Sequence, residues 1–172
     1  MGRVDITEEL SNLVRKQLSN NYPFWAEEVE LDFGKNRVDF VGYKPFQIYT
    51  LGMCTTAIER GIFSFYEVKS SLADSNSGHG KTFVGDENYL VCERELADEL
   101  YRKEILPDGV KILVPNKPRT SLIVAFDTTG FFSNRSKSSN VLLWNMINAR
   151  KSNKVESFID FEEEERKNDE IL

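Results

Sequence analysis

The chain has 172 residues, of which 40% are hydrophobic and 12% aromatic. This composition is typical of one globular domain and unlike that of a disordered segment. No apolar run approaches the roughly 20 residues that cross a bilayer, and no basic-then-apolar leader opens the sequence. We therefore expect a cytoplasmic protein without a membrane partner. Cys54 and Cys92 lie far apart and lack metal-ligand spacing, so reduced thiols are predicted.

The net charge of −6 is unevenly distributed along the chain. Residues 156–172 hold eight acidic and two basic residues, which accounts for −6 and leaves residues 1–155 neutral. Within that body, residues 109–155 hold eight Lys or Arg against one acid. The sequence predicts a single domain over 1–155 and an acidic tail, flexible or helical, over 156–172. The basic segment can meet phosphates despite the acidic total; scattered solvated charges are the alternative.

Apolar periodicity and turn residues predict alternating helices and strands. In chain order they are a helix over 7–20, strands over 29–33, 37–43, 62–69 and 88–92, a helix over 93–105, strands over 110–114 and 122–126, and a helix over about 140–151. The turn at 34–36 predicts a hairpin. Residues 44–61 stay ambiguous: 46–51 can form a strand, and 55–60 can form a helical turn that ends at Gly61. The order implies an α/β domain with a mixed central sheet flanked by helices.

The strand over 62–69 carries charge where apolar residues are expected. Glu67 and Lys69 are two residues apart, so on a strand they point to one face, whereas Tyr66 and Val68 point to the other. A carboxylate and an ammonium in an apolar strand cost desolvation energy unless they are paired or bind a ligand. With Asp39 delivered by a neighbouring strand, two carboxylates and a lysine can meet, hold a divalent metal and activate a water against a phosphodiester.

Asp39 followed by Glu67-Val68-Lys69 resembles the motif of the PD-(D/E)xK nuclease-like superfamily. Ser70-Ser71 and the segment 78–91 further resemble small phage and bacterial members related to DNA-repair-associated endonuclease-like proteins. The resemblance covers roughly residues 35–115, and Val38 stands where the superfamily motif has proline. It implies a restriction-endonuclease-like core, in which residues 44–61 are an insertion.

The resemblance also implies roles for individual residues. Asp39 and Glu67 would hold Mg²⁺ or Mn²⁺ together with waters and the backbone carbonyl of Val68. Lys69 would position or deprotonate the attacking water, or stabilise charge on the phosphate. A structural salt bridge between Lys69 and Glu67, which also describes an inactive site, is the alternative. Glu9 in the first helix is a further catalytic candidate, although acids in a first helical turn are favoured by the helix dipole alone.

The glycine-flanked loop around His79 supplies the remaining candidates. His79 is the sole histidine, and it would contact phosphate or carry a proton; simple exposure is the alternative. Lys81 and Ser70 are predicted substrate contacts. Phe131 and Phe132 are candidates for stacking on unpaired bases. Other aromatic residues are expected in the core: Trp25, Phe63, Phe65, Tyr66 and Trp144.

The sequence thus predicts a metal-dependent phosphodiesterase acting on DNA, in phage or bacterial repair, recombination or defence. An inactive module that binds nucleic acid or protein through the same fold is the alternative, and a pure protein-interaction domain is a third. The pattern specifies neither the substrate structure nor the choice between DNA and RNA, and it leaves a homodimer possible.

Overall fold

The computed structural model describes residues 3–32, 34–52, 54–72, 83–130 and 135–151. Their order matches a mixed α/β domain. The elements are helix α1 (Arg3–Asn21), strands β1 (Phe24–Leu31) and β2 (Asn36–Lys44), helices α2 (Ile48–Leu51) and α3 (Thr55–Glu59), strands β3 (Ile62–Lys69) and β4 (Glu87–Cys92), helix α4 (Arg94–Arg102), strands β5 (Lys111–Pro115) and β6 (Leu122–Asp127), and helix α5 (Ser139–Lys151).

The strands form one six-stranded mixed sheet in sequential order, from β1 at one edge to β6 at the other. The pairs β1–β2, β2–β3 and β5–β6 are antiparallel, whereas β3–β4 and β4–β5 are parallel. Helix α4 makes the crossover between β4 and β5, as the sequence predicted. The carboxyl ends of β3, β4 and β5 consequently meet at one edge of the sheet, where ligands bind in many open α/β sheets.

Helix α1 covers one face of the sheet because its apolar residues recur at helical spacing. Leu10, Val14 and Leu18 are fully buried and pack on a cluster that includes Tyr66 and Val68 of β3. Tyr66 and Val68 therefore point to the same face of β3, as the sequence predicted. Gly42 of β2 lies beneath α1, where a Cβ would stand 2.8 Å from Leu18 Cδ2.

Replacing Gly42 with alanine is expected to lower the free energy of unfolding by about 1–3 kcal/mol, because the added methyl group overpacks the contact between α1 and β2. It would also lie 2.9 Å from the ring of Tyr22, whose hydroxyl donates to Ser64 Oγ at 2.8 Å and resists displacement. Urea denaturation measures the loss. Gly130→Ala is the control, since its Cβ would meet nothing within 4 Å; equal stability of the two variants would contradict the prediction.

Helices α4 and α5 cover the opposite face. Leu96 and Leu100 of α4 pack on Leu90 and Ile112. At the other end of the sheet, α5 packs on β1, β2 and β3, where it buries Leu142 and Met146. Helices thus cover both faces of the sheet. The two charged side chains of β3, Glu67 and Lys69, are both buried.

The structure corrects two expectations. The strand predicted over 46–51 is wrong: Gln47 has a left-handed φ of 45°, and a short helix follows it, ending at Leu51. The helical turn predicted over 55–60 is confirmed as α3. Trp144 is not a core residue, because it is 60% exposed. Among the described residues, no helix is long and apolar enough to cross a membrane.

Candidate functional site

Asp39 and Glu67 are brought together by the register between β2 and β3. Phe40 pairs with Tyr66, so the next step along the same antiparallel register places Asp39 opposite Glu67. Directly opposite residues of an antiparallel pair point to the same face, with their Cβ atoms about 5 Å apart. The Val68 amide donates to Asp39 Oδ2 at 2.8 Å, which anchors this carboxylate at the end of the strand pair.

Glu67 is a fully buried carboxylate with no hydrogen-bond partner. Its exposed fraction is 0%, and neither Oε1 nor Oε2 accepts a hydrogen bond. Burial raises the pKa of Glu67 well above the ordinary value of 4.5, and the neighbouring Asp39 carboxylate raises it further. Buried polar groups are nearly always satisfied, and an exception calls for a functional explanation. Glu67, together with Asp39, is therefore the candidate site in this sheet.

Lys69 lies on the same side of β3 as Glu67 and is itself buried, with 7% exposed. Its ammonium charge lowers the pKa of Glu67, although burial and Asp39 outweigh it. The three predicted residues Asp39, Glu67 and Lys69 therefore converge at the carboxyl end of β3. Cys92 of β4 is the partner of Lys69 in the parallel register, and burial raises the pKa of its thiol to about 12, so it behaves as an inert apolar wall.

Glu28 and Arg37 flank Asp39, and neither was predicted as a site residue. Glu28 lies opposite Asp39 in the register between β1 and β2 but has a left-handed φ of 54°. Arg37 Nε contacts Glu28 Oε2 at 2.7 Å and also lowers the pKa of Glu67. Burial raises the pKa of Glu28, and Asp39 adds to that shift. The strand predicted over 29–33 began one residue after Glu28, so Glu28 had not been placed opposite Asp39, whereas Arg37 lay on the predicted strand 37–43 without a predicted role.

Glu9 lies in a separate ion-pair cluster. Arg119 Nε donates to Glu9 Oε1, while its Nη1 and Nη2 donate to Glu93 at 3.0 and 2.6 Å. The Arg119 hydrogen bond lowers the pKa of Glu9. The other oxygen of Glu9, Oε2, is buried without a hydrogen-bond partner. Because α1 and the side chain of Glu67 lie on opposite faces of the sheet, the structure does not join Glu9 to the Asp39–Glu67 pair.

The residues present fit a small divalent cation. Glu67 offers two buried oxygens without partners, and Asp39 stands beside it with a second carboxylate. Hard oxygen ligands are those that Mg²⁺ selects, and Mg²⁺ usually keeps several waters and only one or two carboxylates. Within the described ranges, no three His, Cys, Asp or Glu side chains gather as a metal-binding group. Two carboxylates would therefore need waters to complete the shell; the Val68 carbonyl stays a predicted ligand.

His79 and Lys81, with the stacking candidates Phe131 and Phe132, lie outside the described residues. Ser70 is half-buried directly after Lys69, and its role as a substrate contact stays a prediction.

The predicted basic face is partly neutralised. Arg119 is paired as described above, Arg135 Nη1 lies 3.4 Å from Asp86, and Lys137 pairs with Asp32. The acidic tail lies outside the described residues.

Comparison with known proteins supports the fold, and it supports no family or function. No protein-family model matches the chain, and no curated protein does. Among solved structures, the chain is similar to a protein of unknown function from Silicibacter pomeroyi, with a TM-score of 0.56 and 16% sequence identity over 89% of this chain and 96% of that one. At this identity the likeness concerns the fold alone. The class defined here is an α/β domain with a six-stranded mixed sheet flanked by helices.

Proposed function

We propose that the chain is a metal-dependent phosphodiesterase that cleaves DNA, with a restriction-endonuclease-like core. Asp39 and Glu67 would hold Mg²⁺ or Mn²⁺, and Lys69 would act on the phosphate or on the attacking water. The observation that carries the proposal is the Glu67 carboxylate, which is fully buried and has no hydrogen-bond partner, yet lies beside Asp39 and Lys69.

Asp39 and Lys69 would have different roles in hydrolysis beside the bound metal. A bound divalent metal supplies a water of lowered pKa and neutralises charge on the phosphate. Asp39, fixed by the Val68 amide, presents a carboxylate of defined orientation. Lys69 donates toward the negative charge that develops on phosphorus-bound oxygens, or orients the water. The water oxygen bonds to phosphorus, the bond to the 3′ oxygen breaks, and the product carries a 5′-phosphate, by analogy with the superfamily.

DNA is proposed as the substrate on the strength of the motif resemblance. The carboxyl ends of β3, β4 and β5 lie at the same end of the sheet, and a phosphodiester is the substrate class that a metal and a lysine together serve. An inactive module with the same fold is the competing outcome, in which DNA or protein binds without metal and without cleavage.

The proposal is tested first by a calorimetric Mn²⁺ titration, which requires no choice of substrate. The wild type is expected to bind, whereas Asp39→Ala and Glu67→Gln are each expected to weaken binding roughly tenfold or more, since even indirect supports of a metal ligand cost that much. Glu30→Gln is the matched control, because Glu30 is an exposed carboxylate on β1 and should leave the titration unchanged.

Cleavage assays on single- and double-stranded DNA with Mn²⁺ follow the titration. Binding that survives both substitutions would place the metal elsewhere. Absence of binding up to about millimolar metal, with and without DNA, would overturn the phosphodiesterase and favour the inactive module.

A further inference from the structure

Arg37 of β2 is an exposed cation beside the candidate metal site. It lies two residues before Asp39 along the chain, and 61% of its side chain is exposed. Burial raises the pKa of Glu67, as described above, whereas the Arg37 charge lowers it, so the guanidinium acts on the buried carboxyl group. Lys69, the other cation of the site, is buried. Arg37 is therefore open to a ligand that arrives from solvent.

The guanidinium of Arg37 is bound by the carboxylate of Glu28. Its Nε lies 2.7 Å from Glu28 Oε2, and within the described ranges its side chain forms no other hydrogen bond or ion pair. The guanidinium is a planar fork of N–H donors that matches the oxygens of a carboxylate or a phosphate. A contact through Nε uses only part of this fork. Both side chains of the pair are largely exposed, so a second anion can compete for Arg37.

Glu28 has a backbone conformation that regular strands avoid. Its φ of 54° is left-handed, which is unfavourable for a residue with a Cβ. Burial raises the pKa of Glu28, Arg37 lowers it, and Asp39 raises it again. The Glu28 carboxylate is therefore attracted by one neighbour and repelled by another. Residues in strained conformations cluster at binding sites and at segments that change state.

We propose that Arg37 binds a backbone phosphate of the DNA beside the metal site, and that Glu28 occupies this guanidinium until DNA replaces it. This role rests on the proposed phosphodiesterase, because DNA is the proposed substrate. Arginine binds phosphate through two parallel charge-assisted hydrogen bonds. The displaced Glu28 carboxylate is exposed and stays in water, so its release costs little. Arg37 then holds the DNA strand while the metal and Lys69 act on the scissile phosphate.

The exchange predicts opposite effects for the two members of the ion pair. In a purely structural pair, either substitution removes the same contact, and both variants change in the same direction. If Glu28 competes with DNA for Arg37, removal of the Glu28 charge strengthens DNA binding, whereas removal of the Arg37 charge weakens it. The sign of the Glu28 effect therefore separates competition from support.

Fluorescence anisotropy of a labelled DNA duplex and of its single strand measures binding at several salt concentrations with Mn²⁺. The parent protein is Lys69→Met, which is expected not to cleave the probe. Arg37→Gln in this parent is expected to raise Kd about tenfold, the loss of one hydrogen bond to a charged group. It should also lower the slope of log K against log salt by about one, because one phosphate contact is lost. Arg37→Lys should keep the slope and bind less tightly than the parent.

Glu28→Gln in the same parent is expected to lower Kd about two- to fivefold, the range set by an exposed ion pair. Glu30→Gln is its matched control, because it removes the same charge from the same strand, and Glu30 forms no ion pair with a described residue. Lys103→Gln is the control for Arg37. Lys103 Nζ pairs with Glu99 at 2.7 Å, at the end of α4 that lies toward the amino ends of the strands. Both controls should leave Kd nearly unchanged.

The outcomes separate this inference from the proposed phosphodiesterase. Weaker binding by both Arg37→Gln and Glu28→Gln would show a structural pair and overturn the inference, as would an unchanged Kd for Arg37→Gln. Loss of Mn²⁺ binding in Glu28→Gln would make Glu28 a metal ligand and overturn its role as a competitor. A wild type that binds DNA but neither Mn²⁺ nor a scissile phosphate would refute the phosphodiesterase, and the two charge variants would still decide the role of Arg37. A wild type without affinity for DNA at low salt would overturn both.

Discussion

Replacing Glu67 with methionine is expected to raise the free energy of unfolding of the metal-free protein by about 1–3 kcal/mol near pH 8. The reason is that methionine has a similar length and removes a buried carboxylate whose two oxygens have no hydrogen-bond partner, and an unsatisfied buried polar group costs that much. Glu67→Gln should fall between the wild type and Glu67→Met, because it removes the charge but keeps a buried amide. Both variants should bind Mn²⁺ more weakly than the wild type, as expected above for Glu67→Gln.

The stability that Glu67→Met gains over the wild type should increase as the pH rises. Burial and Asp39 raise the pKa of Glu67 in the folded protein above its ordinary value of 4.5. The folded state therefore holds this proton more tightly than the unfolded state does. The favourable contribution of the protonated group is complete below about pH 4.5 and is lost as the pH rises toward the folded pKa. The wild type should lose stability relative to Glu67→Met over this window.

Urea denaturation of the metal-free proteins at several pH values measures the difference. Glu30→Gln is again the control, because removal of an exposed carboxylate should leave stability nearly unchanged. Addition of Mn²⁺ should stabilise the wild type and not Glu67→Met, since a ligand that binds only the folded state shifts the unfolding equilibrium. A wild type more stable than Glu67→Met at pH 8 without metal would show that the Glu67 oxygens are satisfied and would remove the main support for the site.

Replacing Lys69 with methionine is expected to lower DNA cleavage by about 100-fold or more, the range typical of a group that stabilises charge or transfers a proton in the transition state. Methionine keeps most of the buried volume, so the protein should fold. Mn²⁺ binding should persist, because the proposed ligands Asp39 and Glu67 are intact. Single-turnover cleavage with saturating metal measures the chemical step.

Lys69→Met also has a consequence that does not depend on activity. Because the Lys69 charge lowers the pKa of Glu67, its removal should raise that folded pKa, so that the loss of stability still begins near pH 4.5 but becomes larger and continues to higher pH. Lys35→Met, in the exposed turn between β1 and β2, is the control for a general loss of positive charge. Full cleavage by Lys69→Met would exclude Lys69 from the mechanism, and lost Mn²⁺ binding would show instead that Lys69 supports the metal ligands.

The sequence predicted most of the framework because helices and strands leave local patterns. Periodicity located α1, α4 and α5 to within a few residues. The prediction was wrong over 46–51, where apolar letters suggested a strand. Gln47 adopts a left-handed conformation there, and the Phe46 amide donates to the Ala57 carbonyl at 2.9 Å. This hydrogen bond joins residues eleven positions apart. The alternation of apolar and polar residues within a short segment does not predict such a contact.

What the sequence determined by itself is the chemistry on one strand: a spacing of two residues places Glu67 and Lys69 on the same face of β3, and this follows from the geometry of any strand. The tertiary structure alone decided that Asp39 stands opposite Glu67, since register between strands depends on the whole sheet. It also decided that Arg119 binds Glu9, 110 positions away, and that Glu67 is buried. Burial and pairing arise from contacts between distant segments of the chain. The energetic cost of burying the Glu67 carboxyl group therefore exists only in the folded protein.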